Sequence, residues 1–226
     1  KGKGNVAIGG SEALQSNTDG SYNVAIGDRA MTFNKTGNQN IAIGYFSLGN
    51  NIVGNDNVLI GYDSGGSITG NYNVGLGTLT LNQNSSGSSN VAIGYYALRQ
   101  TKGSRNLGVG YKAGYDNVLG NNNSFFGNEA GPGSSNLTNA TAIGYKAIVN
   151  DSDKIRLGNS YITVIEGQVA FTNASDRRLK QEIKSTKYGL DEVLKLEPVD
   201  YVLKSNGLEQ IGFIAQDVKP LIPEVV

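Results

Sequence analysis

One five-residue phrase returns nine times in the first 144 residues: asparagine, an apolar residue, a usually small residue, an apolar residue, glycine. It reads Asn5-Val-Ala-Ile-Gly9, Asn23-Val-Ala-Ile-Gly27, Asn40-Ile-Ala-Ile-Gly44, Asn57-Val-Leu-Ile-Gly61 and Asn73-Val-Gly-Leu-Gly77. It goes on through Asn90-Val-Ala-Ile-Gly94, Asn106-Leu-Gly-Val-Gly110 and Asn123-Ser-Phe-Phe-Gly127 to the degraded Ala140-Thr-Ala-Ile-Gly144. The closing glycines fall 18, 17, 17, 16, 17, 16, 17 and 17 residues apart. A short fixed period specifies a solenoid, because each unit can bury its apolar face only against its neighbours. The fold class expected is therefore mainly β, an elongated structural or adhesive shaft instead of a compact enzyme.

Within each phrase the side chains alternate, so Val6 and Ile8 face one way and Ala7 the other. The glycine supplies positive φ without steric cost, and asparagine tolerates left-handed backbone better than most residues. Together they are expected to bracket a three-residue strand. A second small position three residues after the glycine, followed by a variable one (Ala30-Met31, Ser47-Leu48, Ala97-Leu98), predicts a second short strand in every coil. The polar stretches that follow, such as Asn84-Ser-Ser-Gly-Ser-Ser89, read as loops to the next coil.

Composition changes near residue 150. Residues 1–150 hold 16 charged residues and 27 glycines, and the remaining 76 hold 22 and 5. The expected domains are a repeat shaft over 1–150, a β neck or connector over 151–174 and an α+β module over 175–226. In the connector, Ile155/Leu157, Ile162/Val164 and Val169/Phe171 alternate at period two, which suits either an interwoven trimeric neck or a final capping coil. Opening in mid-repeat, the chain reads as a piece of something longer.

The 226 residues include no cysteine and no histidine, and formal net charge is zero. Disulfides, thiolate metal sites and the commonest general base are thereby excluded, and no metal or cofactor is expected. Zero net charge favours neither nucleic acid nor an anionic membrane as partner. No apolar run approaches the roughly 18 residues of a membrane span.

The repeat phrase with its downstream small residue resembles the head repeats of trimeric autotransporter adhesins. That resemblance implies a parallel β-roll in which three chains stand side by side. Nine coils at about 4.8 Å per stacked strand give a rod of roughly 40 Å. Tyr45, Tyr62, Tyr95, Tyr111 and Tyr145 each follow a phrase glycine, so on a roll they form a column. The column reads as aromatic packing between coils or subunits, or as a strip on which sugars stack. Sequons at Asn34, Asn84, Asn136 and Asn139 are expected by chance in so asparagine-rich a chain, and are not read as glycosylation sites.

Sequence physics gives the last module an amphipathic helix over 188–196 ending before Pro198, strands near 199–204 and 209–214, and a helical turn from Ala215. The combination of Ser175-Asp-Arg-Arg-Leu-Lys180 with Ile211-Gly-Phe-Ile-Ala-Gln-Asp-Val218 resembles the C-terminal intramolecular chaperone of phage tail spikes and fibres, shared with myelin-regulatory-factor-type proteins. The resemblance covers 174–226, and the family module often extends further, so this one is expected to be C-terminally truncated. It implies trimerisation, assistance to the upstream fibre, and self-cleavage at Ala174–Ser175 with Ser175 as nucleophile and Lys180 as general base. Such a single-turnover serine endopeptidase has no external substrate. A lysine desolvated in an assembled site can act as base where histidine is absent. Read without the resemblance, Ser175 or Asp176 would equally serve as a helix N-cap.

The function expected is a homotrimeric tail-fibre-like shaft that binds a host surface glycan or protein receptor, located on a virion tail or an extracellular surface. A bacterial cell-surface trimeric adhesin with the same chaperone is the alternative. A glycan-degrading spike is less favoured, because glycosidases need a placed pair of carboxylates. The repeat region has only Glu12, Asp19, Asp28, Asp56, Asp63, Asp116 and Glu129, at positions that do not recur from one coil to the next.

Overall fold

The computed structural model describes residues 2–166, 181–202 and 209–223. The chain divides into two compact units, Lys1–Tyr161 and Ile162–Val226.

The first unit is a parallel β-solenoid. Each phrase forms a three-residue strand: β1 (Val6–Ile8), β2 (Val24–Ile26), β3 (Ile41–Ile43), β4 (Val58–Ile60), β5 (Val74–Leu76), β6 (Val91–Ile93), β7 (Leu107–Val109) and β8 (Ser124–Phe126). β10 (Thr141–Ile143) and β12 (Ile155–Leu157) continue the series into one ten-stranded sheet. Register is strict, with Ala7 opposite Ala25 and Ala25 opposite Ala42. The phrase glycines turn the corner with φ between +109° and +137°. They are also in close contact: a Cβ on Gly44 would sit 2.6 Å from the carbonyl oxygen of Gly61 in the next coil. Positive φ and that approach leave no other residue type suited to the column.

The asparagine has a different job from the one its conformational tolerance suggests. The left-handed residue is the one before it (Tyr22, Gln39, Asp56, Tyr72, Ser89, Arg105, Asn122 and Asn139, φ 54–59°). The phrase asparagine itself points inward and is buried from Asn23 to Asn123. Asn57 shows the pattern: its Nδ2 donates to Asn40 Oδ1 at 3.1 Å and to the Gly70 carbonyl at 2.9 Å. Its Oδ1 accepts from the backbone N–H and the Nδ2 of Asn73 at 3.0 and 3.1 Å. The amides thus form a continuous column that satisfies polar groups no water reaches. It ends at Ala140, whose N–H still donates to Asn123 Oδ1 at 2.8 Å.

The second strand predicted for each coil is absent from most of them. After the glycine the backbone alternates into left-handed conformation, as at Arg29 and Met31 (φ 58° and 52°) or Tyr96 and Leu98 (φ 62° and 46°). The reason is burial: Ala30 and Met31, Ser47 and Leu48, and Ala97 and Leu98 are consecutive and all fully buried. A strand would send one of each pair outward; the alternating turn sends both inward. Coil-to-coil bonds persist, such as Leu48 N–H to the Ser64 carbonyl at 2.9 Å. Only the last coils flatten here into strands, β9 (Gly131–Pro132) and β11 (Ile148–Val149), which pair in parallel.

The core between sheet and return segment is one side chain thick, so large residues lie against glycines. Leu59 occupies the space a Cβ on Gly65 would need, Leu98 that of Gly108, and Phe125 that of Gly114. Close packing makes such pairs interdependent.

The sheet extends beyond residue 150, because β12 pairs with β10 as a final coil. Gly158 (φ 69°) ends β12, and Asn159 caps the coil by donating to the Tyr145 carbonyl at 2.8 Å. Beyond this cap Ile162–Glu166 forms no strand, contrary to the period-two reading of Ile162/Val164. Val169 and Phe171 lie outside the described residues.

In the second unit, α1 (Leu190–Val193) is shorter than the predicted 188–196. Antiparallel β13 (Val199–Val202) and β14 (Glu209–Gly212) and the turn α2 (Ala215–Val218) follow. Glu192 anchors α1 by accepting the Gly189 N–H at 2.7 Å, which holds its carboxyl below the usual value.

Candidate functional site

Three features of the chain could carry function, and each follows from the local folding just described. The first is the outward side of the ten-stranded sheet. Because the middle residue of strands β2 to β8 and β10 points into the core, the residues that flank it, apolar in most of these strands, point out. Ile8, Ile60, Leu76, Ile93, Phe126 and Ile143 keep between 36% and 56% of their surface exposed, stacked in register. Monomeric proteins rarely leave so continuous an apolar strip uncovered.

The second feature lies across the core, on the return segment. There, in the sixth and seventh coils, the residues two and five places after the phrase glycine are Tyr96, Arg99, Lys112 and Tyr115, all partly exposed. The Arg99 guanidinium lies 4.7 Å over the Tyr96 ring and donates from Nη1 to Tyr115 Oη at 3.2 Å. Lys112 Nζ stands 5.4 Å from the Tyr111 ring and 5.7 Å from that of Tyr115. Tyr115 is held below its ordinary pKa, first by a hydrogen bond with Gln100 and then by Arg99. Two coils on, Lys146 Nζ sits 5.2 Å over Tyr145 and 3.7 Å from Glu129.

The predicted tyrosine column is on the surface, with Tyr45, Tyr62, Tyr95, Tyr111 and Tyr145 between 40% and 57% exposed. Tyr45 stacks on Tyr62 (centroids 5.4 Å, planes 13° apart) and Tyr95 on Tyr111 (5.9 Å, 12°). Thr78 and Asn128 interrupt the column. The stacked rings turn faces toward each other, which leaves mainly edges and hydroxyls outward. Tyr96, Arg99, Lys112 and Tyr115 were not singled out from sequence. The signal was present as a shared offset from the glycine, visible once coils are aligned column by column. Of the sequons, Asn34 and Asn84 are buried while Asn136 and Asn139 are exposed.

The third feature is the C-terminal unit. Ala174, Ser175 and Lys180 lie outside the described residues. Among those described, Val218 is the one buried apolar side chain of this unit. Leu190, Leu194 and Ile211 are at least 70% exposed. No helix among the described residues is long and apolar enough to cross a membrane.

Comparison with known proteins bears on both units. Residues 175–226 match the family model described as chaperone of endosialidase. No curated protein matches the chain. Among solved structures, the collagen-binding domain of the Yersinia adhesin YadA is similar at 21% identity and a TM-score of 0.54, over 76% of this chain and 91% of that one. The chain is thus a parallel β-solenoid with the fold of that adhesin domain, followed by a segment that matches the chaperone of endosialidase.

Proposed function

We infer that this chain is part of a homotrimeric surface fibre, with an adhesive β-roll shaft over 1–150 and a connector over 151–174. Residues 175–226 are the chaperone that assembles it. The observation that carries this reading is the apolar strip along the ten-stranded sheet. Burying an Ile or Leu side chain is worth about 1.5–3 kcal/mol, and ten stacked strands offer such residues in line. A copy of the same chain is the partner with a matching strip and the same coil spacing. The C-terminal unit points the same way, since its exposed Leu190, Leu194 and Ile211 need cover that one chain does not provide.

Within this reading, the Ser175 hydroxyl attacks the Ala174 carbonyl while Lys180 takes its proton. The Ala174–Ser175 amide bond breaks as its nitrogen takes that proton, leaving an ester on Ser175. Water hydrolyses that ester to free the Ala174 carboxylate and restore the hydroxyl, releasing the chaperone after assembly. The shaft remains to bind a host surface glycan or protein. The match to the chaperone of endosialidase favours a tail-fibre setting. The fold likeness to an adhesin domain favours a bacterial cell-surface adhesin as the second reading.

Sedimentation of the intact chain tests the assembly and should give a trimer; a well-folded monomer would overturn it. Intact mass tests the chemistry. The chain should split before Ser175, and Ser175→Ala or Lys180→Ala should leave it whole. If both variants still split there, the dyad is wrong.

A further inference from the structure

The outward return segment holds a set of cations seated on tyrosines, with Asp63 acting on Arg99 only from beyond ion-pair distance. Arg99 and Lys112 make no ion pair with a carboxylate among the described residues. Each is instead placed against aromatic rings. A ring face attracts a cation but does not neutralise it, and it removes water from one side. The remaining side of such a guanidinium or ammonium is primed for an anion. The Tyr115 hydroxyl already serves as acceptor for Arg99, so that cation is locked in place and not swinging in solvent.

Position along the roll adds to this. Arg99 belongs to the sixth coil and Lys112 to the seventh, so the two cations come from successive coils, whose backbones stack about 4.8 Å apart. From Lys112 and Tyr115 an open groove of about 440 Å³ runs on past Glu129 to Lys146. Its two carboxylates differ, because Glu129 is paired with Lys146 while Asp116 is not in an ion pair. The feature lies across the core from the apolar strip, so assembly through that strip leaves it open.

We propose that Arg99 and Lys112, seated on Tyr96, Tyr111 and Tyr115, form a binding site for an acidic polysaccharide chain lying along the roll axis. An extended polyanion with a charge on successive sugars fits cations presented by successive coils, and the tyrosine hydroxyls and ring edges supply contacts for the sugar rings. This rests on the reading of the roll as an adhesive shaft, and it names the ligand class and the place.

The test is binding of the intact chain to immobilised polygalacturonate, with heparin to separate carboxylate from sulfate recognition and dextran as the uncharged control. Binding should occur with polygalacturonate or heparin at low salt, weaken as salt rises, and be absent with dextran. The double variant Arg99→Gln with Lys112→Gln should lose at least tenfold in affinity. Asp116→Asn should bind more tightly than wild type, and Lys102→Gln with Arg105→Gln, in a different loop, should change affinity less than twofold. Sedimentation of each variant reads the assembly separately, so loss of the site and loss of the trimer are distinguishable. Equal binding by the double variant, equal binding to dextran, or no binding of a folded trimer to either polyanion would overturn the site.

Discussion

The two units solve the same problem in opposite ways. The roll satisfies nearly every polar group inside one chain, with a buried amide from each coil bonded to the next. Along the outward side of its sheet it leaves a line of apolar side chains uncovered. The C-terminal unit has regular elements too, but among its described residues only Val218 is buried. One unit is thus a finished scaffold with an uncovered apolar side, and the other, among its described residues, a set of elements around a single buried side chain. A chaperone that acts through assembly needs that second condition, since a self-sufficient domain would gain nothing from its copies.

The contrast can be broken at several places, and the largest effect belongs to the amide column. Asn57→Ala removes one rung: the Gly70 carbonyl and the Asn73 backbone N–H, both in the following coil, lose their partners, while Asn40 Oδ1 keeps the N–H of residue 57. Each orphaned buried group costs about 1–3 kcal/mol, so a loss of about 4 kcal/mol is expected in urea unfolding of the roll. A loss below about 1 kcal/mol would mean that the column only lines the core.

Next in size is the apolar strip. Ile93→Asp should leave the circular dichroism of the roll unchanged, because Ile93 points outward at 38% exposure. Association should weaken by about 2 kcal/mol, on the order of thirtyfold, as read by sedimentation across a dilution series. If the roll unfolds while it stays trimeric, the division between scaffold and apolar side is wrong.

The smallest effect concerns Asp63, whose carboxyl is raised by burial against the opposing influence of Asn82 and Arg99. Its Oδ1 is buried with no hydrogen-bond partner. A raised carboxyl binds its proton more tightly folded than unfolded, so stability should increase as pH falls from neutral through the folded value toward the ordinary carboxylate range. Asp63→Asn should raise the melting temperature slightly, by less than about 1 kcal/mol in stability for a group only partly buried, and flatten that pH dependence. A variant less stable at pH 7 would show that the carboxylate is satisfied in solution.

The repeat made the coil count and the parallel stack readable, because the phrase glycine and the alternation around it each have a single conformational meaning. The asparagine misled because two properties of that residue fit the position. Left-handed tolerance pointed to a corner, whereas the inward amide decides the structure. Ala30-Met31 misled in another way: a small residue beside a large one suggests strand alternation, and only the thinness of the core shows why both must turn inward. The candidate dyad at Ser175 and Lys180 was legible as a motif and lies outside the described residues, so its geometry rests on the resemblance alone. Arg99 and Tyr115 went unnoticed because neighbours across coils are 16 residues apart in sequence.

The amide column has a mechanical consequence. Bonds between coils run along the fibre axis, so a pull on the shaft is borne at each boundary by strand, return segment and amide together. Ala140 has no amide to pass on, so the boundary beyond it is bridged instead by exposed side-chain bonds, Asn139 Nδ2 to Asp153 Oδ1 and Asn159 Nδ2 to the Tyr145 carbonyl, both at 2.8 Å. Under tension along the roll, that last boundary, held by side-chain bonds open to water, is expected to part before the coils that carry Arg99 and Lys112.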